Sequence, residues 1–345
     1  MYLKNVNWNY KNKVLKKVKN DWRALEHVSD ELKNDKEFML EAIKSEGYAL
    51  QFASDELKND KDVVMIAVKN KGHALYFASD ELKSDKEVVL EAVKQRGLAL
   101  EYASDELKAD KEIVMEAVKN DGLALEYASD ELKNDKEVIL EAVKQNGRAL
   151  QFAGYELKND KEVVLEAVKQ SGGALEYASL ELKADKEVIL EAVKQSGYAL
   201  KYASEELKND KEVVLTAVKK WVGALEYASL ELLNDEQFIL EIVQLNPSNL
   251  NYASHRLQNN KEFLIEVINA NIEIYKHIKH LSSNEPEIVN ALVDKFSEYE
   301  CSKFYDLDTL KKYPDELISS LNSHNFKTEP LVINNENENK IEFGE

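Results

Sequence analysis

An all-α solenoid of about ten 25-residue two-helix repeats, closed by helical caps, is the fold this sequence predicts, and three observations predict it. The first is the period. KNDKEVVLEAVKQSGGALEYAS, at 158–179, returns almost unchanged 25 residues up or down the chain. The second is the helical spacing of apolar residues inside each unit. The third is composition, since four prolines and 11 glycines in 345 residues leave room for helix nearly throughout. A two-helix unit this short cannot bury its own apolar faces, whereas stacked copies bury them continuously.

Each unit opens on an acid that recurs at Asp35, Asp60, Asp85, Asp110, Asp135, Asp160, Asp185, Asp210 and Asp235, with Asn260 and Glu285 continuing the spacing. Such residues before an apolar run are helix N-caps, because their side-chain oxygens accept orphan N–H groups of the first turn. Asn34 is the competing cap, but its place becomes Ala109 and Ala184 elsewhere, and Pro286 follows Glu285 as a first helical residue should. The cap is therefore placed at Asp35.

Helix A follows over about 36–46, with Phe38, Met39, Leu40, Ala42 and Ile43 apolar and Lys36, Glu37, Glu41 and Lys44 charged. So wide an apolar face predicts burial on two sides. Gly47 ends it and returns at Gly72, Gly97, Gly122, Gly147, Gly172 and Gly197, which predicts a left-handed residue after the helix. Helix B is shorter, its buried stripe being Ala49, Leu50, Phe52, Ala53 and Leu57. Phe and Tyr interchange at place 52, so the ring is expected to fill core. Ser54 before Asp55 and Glu56 predicts a fresh cap and one more helical turn.

The ends diverge. Residues 1–34 read as an N-terminal capping helix and a partial repeat, with Trp22 in the glycine place. Residues 35–284 are the tandem repeats, 285–322 C-terminal capping helices, and 323–345 a polar, acidic tail expected to be disordered.

The net charge of −19 is spread along the array. The unit Asp85–Ala109, for example, holds six acids and four bases. Such a surface repels phosphate backbones and argues against nucleic acid as the main ligand. Lysines cluster in the first segment (Lys4, Lys11, Lys13, Lys16, Lys17, Lys19), where a solvated first helix is the simpler reading and a docking patch the other. One cysteine, Cys301, permits no internal disulfide, so a reducing, cytoplasmic setting is expected. The opening MYLKNVNWNYKNKV has no apolar signal core and no stretch approaches a membrane span, although leaderless export would leave no mark.

The wording LKNDKEVVLEAVKQNGRALQFA, with its cap, its glycine, A-L-x-Y/F-A-S and L-K-N-D in fixed order, resembles the repeat family catalogued as domain of unknown function 4116, over about residues 20–270. The resemblance implies a helical repeat array and brings no catalytic residues with it.

Enzyme signals are thin, and the expectation is a protein with no cofactor and no catalytic site. There is no Gly-rich phosphate loop, no H-E-x-x-H and no G-x-S-x-G. His277 and His280 stand three apart without a third ligand, and Cys301 has no evident base. The block SDELKNDKE crowds oxygen ligands, but its lysines intrude and the central glycine and terminal glutamate of a calcium loop are missing.

What remains is the variation between copies. Places equivalent to 46, 48, 51 and 55 change, and 48, 51 and 55 are spaced to share one face of helix B. At 48 stand Tyr48, Leu98, Leu123 and Tyr198. At 55 an acid gives way to Tyr155, Leu180 and Leu230, and place 46 reaches Trp221. Neutral drift would leave most such places polar, whereas apolar groups amid charge are what a protein-binding surface uses as anchors. Tyr48, Leu98, Leu123, Tyr155, Leu180, Tyr198, Trp221 and Leu230 are thus the expected contacts for a protein or peptide, basic in character, on a non-enzymatic scaffold. The alternative is a structural spacer that self-associates through its divergent ends.

Overall fold

The repeat is built from three pieces rather than two. In the computed structural model, which describes residues 8–271, 277 and 286–296, a ten-residue A helix such as Lys36–Ser45 is followed by a six-residue 3₁₀ helix, Gly47–Phe52, and a one-turn α-helix, Asp55–Lys58. No strand forms among the described residues. The fresh cap at Ser54 is as expected, but the break before it puts places 48 and 51 on one piece and place 55 on the other, where one shared face was expected. Ala53 (φ −65°, ψ 155°) and Ser54 (φ −61°, ψ 163°) are extended, and Ser54 Oγ accepts Leu57 N–H to start the last turn, called here the C turn.

The chain divides into two compact units, Met1–Ser229 and Leu230–Glu345. In the first, each A helix packs against the A helix before and after it, and each 3₁₀ helix against its neighbours and the following A helix. Places 38, 39, 42, 43, 49 and 50 of each interior repeat are almost wholly excluded from water, as Val88, Val89, Ala92, Val93, Ala99 and Leu100 illustrate. Each fully buried valine or leucine contributes roughly 1.5–3 kcal/mol. The ring at place 52 is only half-buried, so it lies at the margin of the core and does not fill it. The N-terminal segment forms Trp8–Asn20, Trp22–His27 and Asp30–Lys33. In the second unit Glu236–Leu245 packs on Lys261–Ala270, which packs on Pro286–Phe296. A further cap helix at 314–322, the tail 323–345, His280 and Cys301 fall outside the described residues.

The recurring acid caps helix A as expected, and it has a second role. One oxygen of Asp135 accepts the N–H groups of Glu137 and Val138 at 3.0 and 3.2 Å. The other accepts from Lys111, the first residue of the preceding A helix, at 2.8 Å, and Lys111 also reaches Glu137 at 2.7 Å. The arrangement repeats from Lys11–Asp35 to Lys186–Asp210 and makes a ladder of ion pairs along the first unit. The Lys111 ammonium holds the Asp135 carboxyl below its ordinary range against the opposing effect of partial burial, and Asp135 and Glu137 in turn raise Lys111. Each rung is half-solvated and individually weak.

Three further contacts join successive repeats. The backbone N–H of Ser79 donates to Lys58 O at 3.0 Å, and Ser79 Oγ to Asn59 Oδ1 at 2.5 Å, which explains the serine and asparagine of the motif. At two junctions an asparagine clamps the break after the preceding A helix. Asn120 Oδ1 accepts Gly97 N–H at 2.7 Å while its amide donates to Lys94 O at 2.9 Å.

The glycines are not left-handed. No glycine among the described residues has a positive φ. Gly122 instead opens the 3₁₀ helix against the next repeat, where a Cβ would lie 2.3 Å from Ala142 O, and the same holds for Gly47 through Gly197. The requirement is close backbone approach.

Candidate functional site

The variable places sort into two rows, because the extended pair at 53–54 separates place 55 from places 48 and 51.

The first row lies on the 3₁₀ helices and is largely engaged within the protein. Where place 48 carries a ring, it packs edge-on against the ring at place 52 of the next repeat: Tyr48 on Phe77 at 6.5 Å, His73 on Tyr102 at 4.8 Å, Tyr198 on Tyr227 at 5.6 Å. Tyr48, Leu98 and Leu123 are all half-buried. His73 bonds Tyr102 Oη at 3.1 Å through Nε2, while its buried Nδ1 has no partner. Burial, with Arg96 adding and Glu101 opposing, holds the His73 pKa below its usual value. Burial first, then Glu101, pushes Tyr102 up to about 12. Trp221 lies over Gly223, where a Cβ would meet the indole at 2.2 Å, and rests 6.0 Å from Tyr198 and 6.4 Å from Tyr227. Lys201 completes this cluster, its ammonium 2.9 Å from Tyr198 Oη and 5.3 Å from the ring centroid.

The second row consists of the C turns. Asp80 and Asp105 stand fully exposed at place 55, each facing the lysine three residues on, at 3.5 and 4.0 Å. Tyr155 and Leu180 occupy that place at 70% and 80% exposure, and Leu230 of the second unit at 84%. Lys158 and Lys183 donate to the last carbonyls of their 3₁₀ helices, Gln151 O at 2.6 Å and Glu176 O at 2.7 Å, and burial pushes both their pKa values down. Beside Leu230 the lysine place is Leu233.

Sequence comparison of the copies did not single out two exposed apolar residues, Tyr76 at 55% and Leu245 at 44%. Tyr76 stands at place 51, where other copies carry Gln, Glu, Lys or Asn, so the same comparison could have found it. A pocket of about 200 Å³ lies between the first helix and Lys36–Ser45, lined by Lys11, Leu15, Glu37 and Phe38. Among the described residues no group of three or more His, Cys, Asp or Glu could hold a metal ion, and no helix is long and apolar enough to cross a membrane. The oxygens of Asp60, one of the calcium candidates, are engaged by the N–H groups of Asp62 and Val63 and by Lys36.

No curated protein and no solved structure matches the chain. A family model does, in eight segments, of which the first six overlap in succession: 10–58, 35–83, 60–108, 85–133, 110–156, 135–183, 185–233 and 235–281. These segments span the described repeats in both units, in the period set by the capping acid and the close-packed glycine, and the chain belongs to the family described as domain of unknown function (DUF4116).

Proposed function

We propose that the protein is a non-enzymatic repeat scaffold that binds another protein or a peptide through the exposed faces of its short helices, and that the partner is basic. The observation that carries this reading is the exposure of Tyr155, Leu180 and Leu230. Large apolar side chains stand in water where sister repeats present a carboxylate. They fill no core, so their contribution to folding is small, and apolar groups set among charges are the usual anchors of a protein interface. The acids around them favour a cationic partner and speed its encounter. The rings of the first row have a share in joining repeats, which makes Tyr48, Leu98 and Leu123 secondary contacts. Tyr198 and Trp221, at 38% and 41% exposure, remain open to a partner.

The test is capture from the source cell with the full chain as bait, beside the triple variant Tyr155→Asp, Leu180→Asp, Leu230→Asp. Loss of a specific partner with unchanged helicity and melting supports the reading. Equal capture by both baits refutes it.

A further inference from the structure

Charge on the first unit is unevenly matched. Acids at the start of the A helices are bridged between repeats by the lysine ladder. Acids that open the C turns are not part of that ladder. Asp80, Asp105 and Glu205 meet only the lysine of their own turn, at 3.5, 4.0 and 2.8 Å, and Asp55, Glu56, Asp80, Glu81, Asp105 and Glu106 all project into solvent. Tyr155 and Leu180 interrupt this acidic row in two successive repeats, with Asp105 and Asp130 before them and Glu205 after. The two turns are neighbours, since Ser179, adjoining Leu180, donates its N–H to Lys158 O of the turn that Tyr155 opens, at 2.9 Å. The lysines of these two turns are drawn to main-chain carbonyls, which leaves the apolar pair flanked by carboxylates.

Resting on the partner-binding reading above, we propose that Tyr155 and Leu180 anchor a basic amphipathic helix that lies along the C turns of the first unit. Its two apolar residues cover the pair, and its lysines or arginines meet Asp105 and Asp130 on one side and Glu205 on the other. The spacing suits a helix. Packed helical layers recur at about 8–10 Å, and residues seven apart on an α-helix are separated by about 10.5 Å on one face. Carboxylates supply orientation and encounter rate, and the desolvated apolar pair supplies most of the affinity.

The probe is a labelled synthetic peptide of five heptads, with leucine at the third and fourth equivalent positions, lysine at the first, second and fifth, and alanine or glutamine elsewhere. Anisotropy titration against the full chain should give saturable binding that weakens with salt. Tyr155→Asp with Leu180→Asp should weaken it at least about tenfold, and a peptide with glutamate for lysine should not bind. Asp is the residue that Asp105 and Asp130 already place in sister turns, so the variant is expected to fold, which far-UV circular dichroism checks. If binding survives this double variant but is lost with Tyr198→Ala and Trp221→Ala, the C-turn assignment falls while the broader reading stands. Absence of binding by the lysine peptide overturns this proposal alone, because native capture judges the broader one independently.

Discussion

Replacing Gly122 by alanine separates two explanations of the recurring glycine by the sign of the effect. Alanine at a glycine whose backbone it can adopt stabilises a protein by about 0.4–1 kcal/mol, because it restricts the unfolded chain. Gly122 has no positive φ, so backbone preference alone predicts that gain. Space predicts the opposite. A Cβ there would lie 2.3 Å from Ala142 O and 3.1 Å from Asn146 N, on the next repeat. Ordinary contact begins near 3.4 Å, so the facing backbone must retreat by about 1 Å, and overpacking of this kind costs about 1–3 kcal/mol. The loss falls on the junction between two repeats, the term that couples such arrays. Gly173 is the internal control. Its nearest atom would be Ser171 Oγ at 3.7 Å, so Gly173→Ala should be neutral or stabilising. Urea unfolding of both variants, followed by circular dichroism, should move the midpoint down for Gly122→Ala and leave it level or higher for Gly173→Ala. A midpoint for Gly122→Ala at or above wild type would refute the close-approach argument.

The double role of the capping acid gives a graded series. Asp135→Ala should cost about 1 kcal/mol or more through the lost cap, whereas Asp135→Asn keeps the cap, as Asn260 does, and should cost less. Because the folded Asp135 pKa lies below 3.8, its ion-pair contribution is present above that pH and fades as pH falls through the folded value. The stability gap between wild type and Asp135→Asn should therefore close in acid, as thermal melts across pH will reveal. His73 acts in a higher window. Its folded pKa lies below 6.5, so the folded state disfavours the proton and wild type should lose stability as pH falls through 6.5 toward the folded value. In His73→Leu, which copies Leu98 and Leu123, that part of the pH slope should vanish, and its persistence would place the titrating group elsewhere.

Much of this architecture was legible because the chain states it many times over. The cap at Asp35, the limits of helix A and the serine-capped final turn all followed from local chemistry, which a sequence displays directly. Features that depend on a facing repeat were harder to read. A left-handed helix end and a tight backbone contact both demand glycine, and only the position of Ala142 distinguishes them at Gly122. The lysine ladder escaped notice because its partners are 24 residues apart, whereas helical charge pairs are sought three or four apart. Its signal was the lysine that follows every capping acid from Asp35 to Asp210. The exposed residues Tyr155, Leu180 and Leu230 were legible for the converse reason, since each breaks a rule that its sister copies keep.

The ladder also bears on how long such a protein can be. Lys61 reaches Asp85 and Lys86 reaches Asp110, so each repeat of the ladder offers a cation to the repeat that follows it and an anion to the one before. Excising Asp85–Ala109 would bring Lys61 against Asp110 and restore an equivalent rung, as would removal of several whole units, while a deletion that is not a multiple of the repeat would leave mismatched ends. Whole-unit gain or loss is therefore silent at the joints, and size can vary in quanta of one repeat with no redesign of what holds neighbours together.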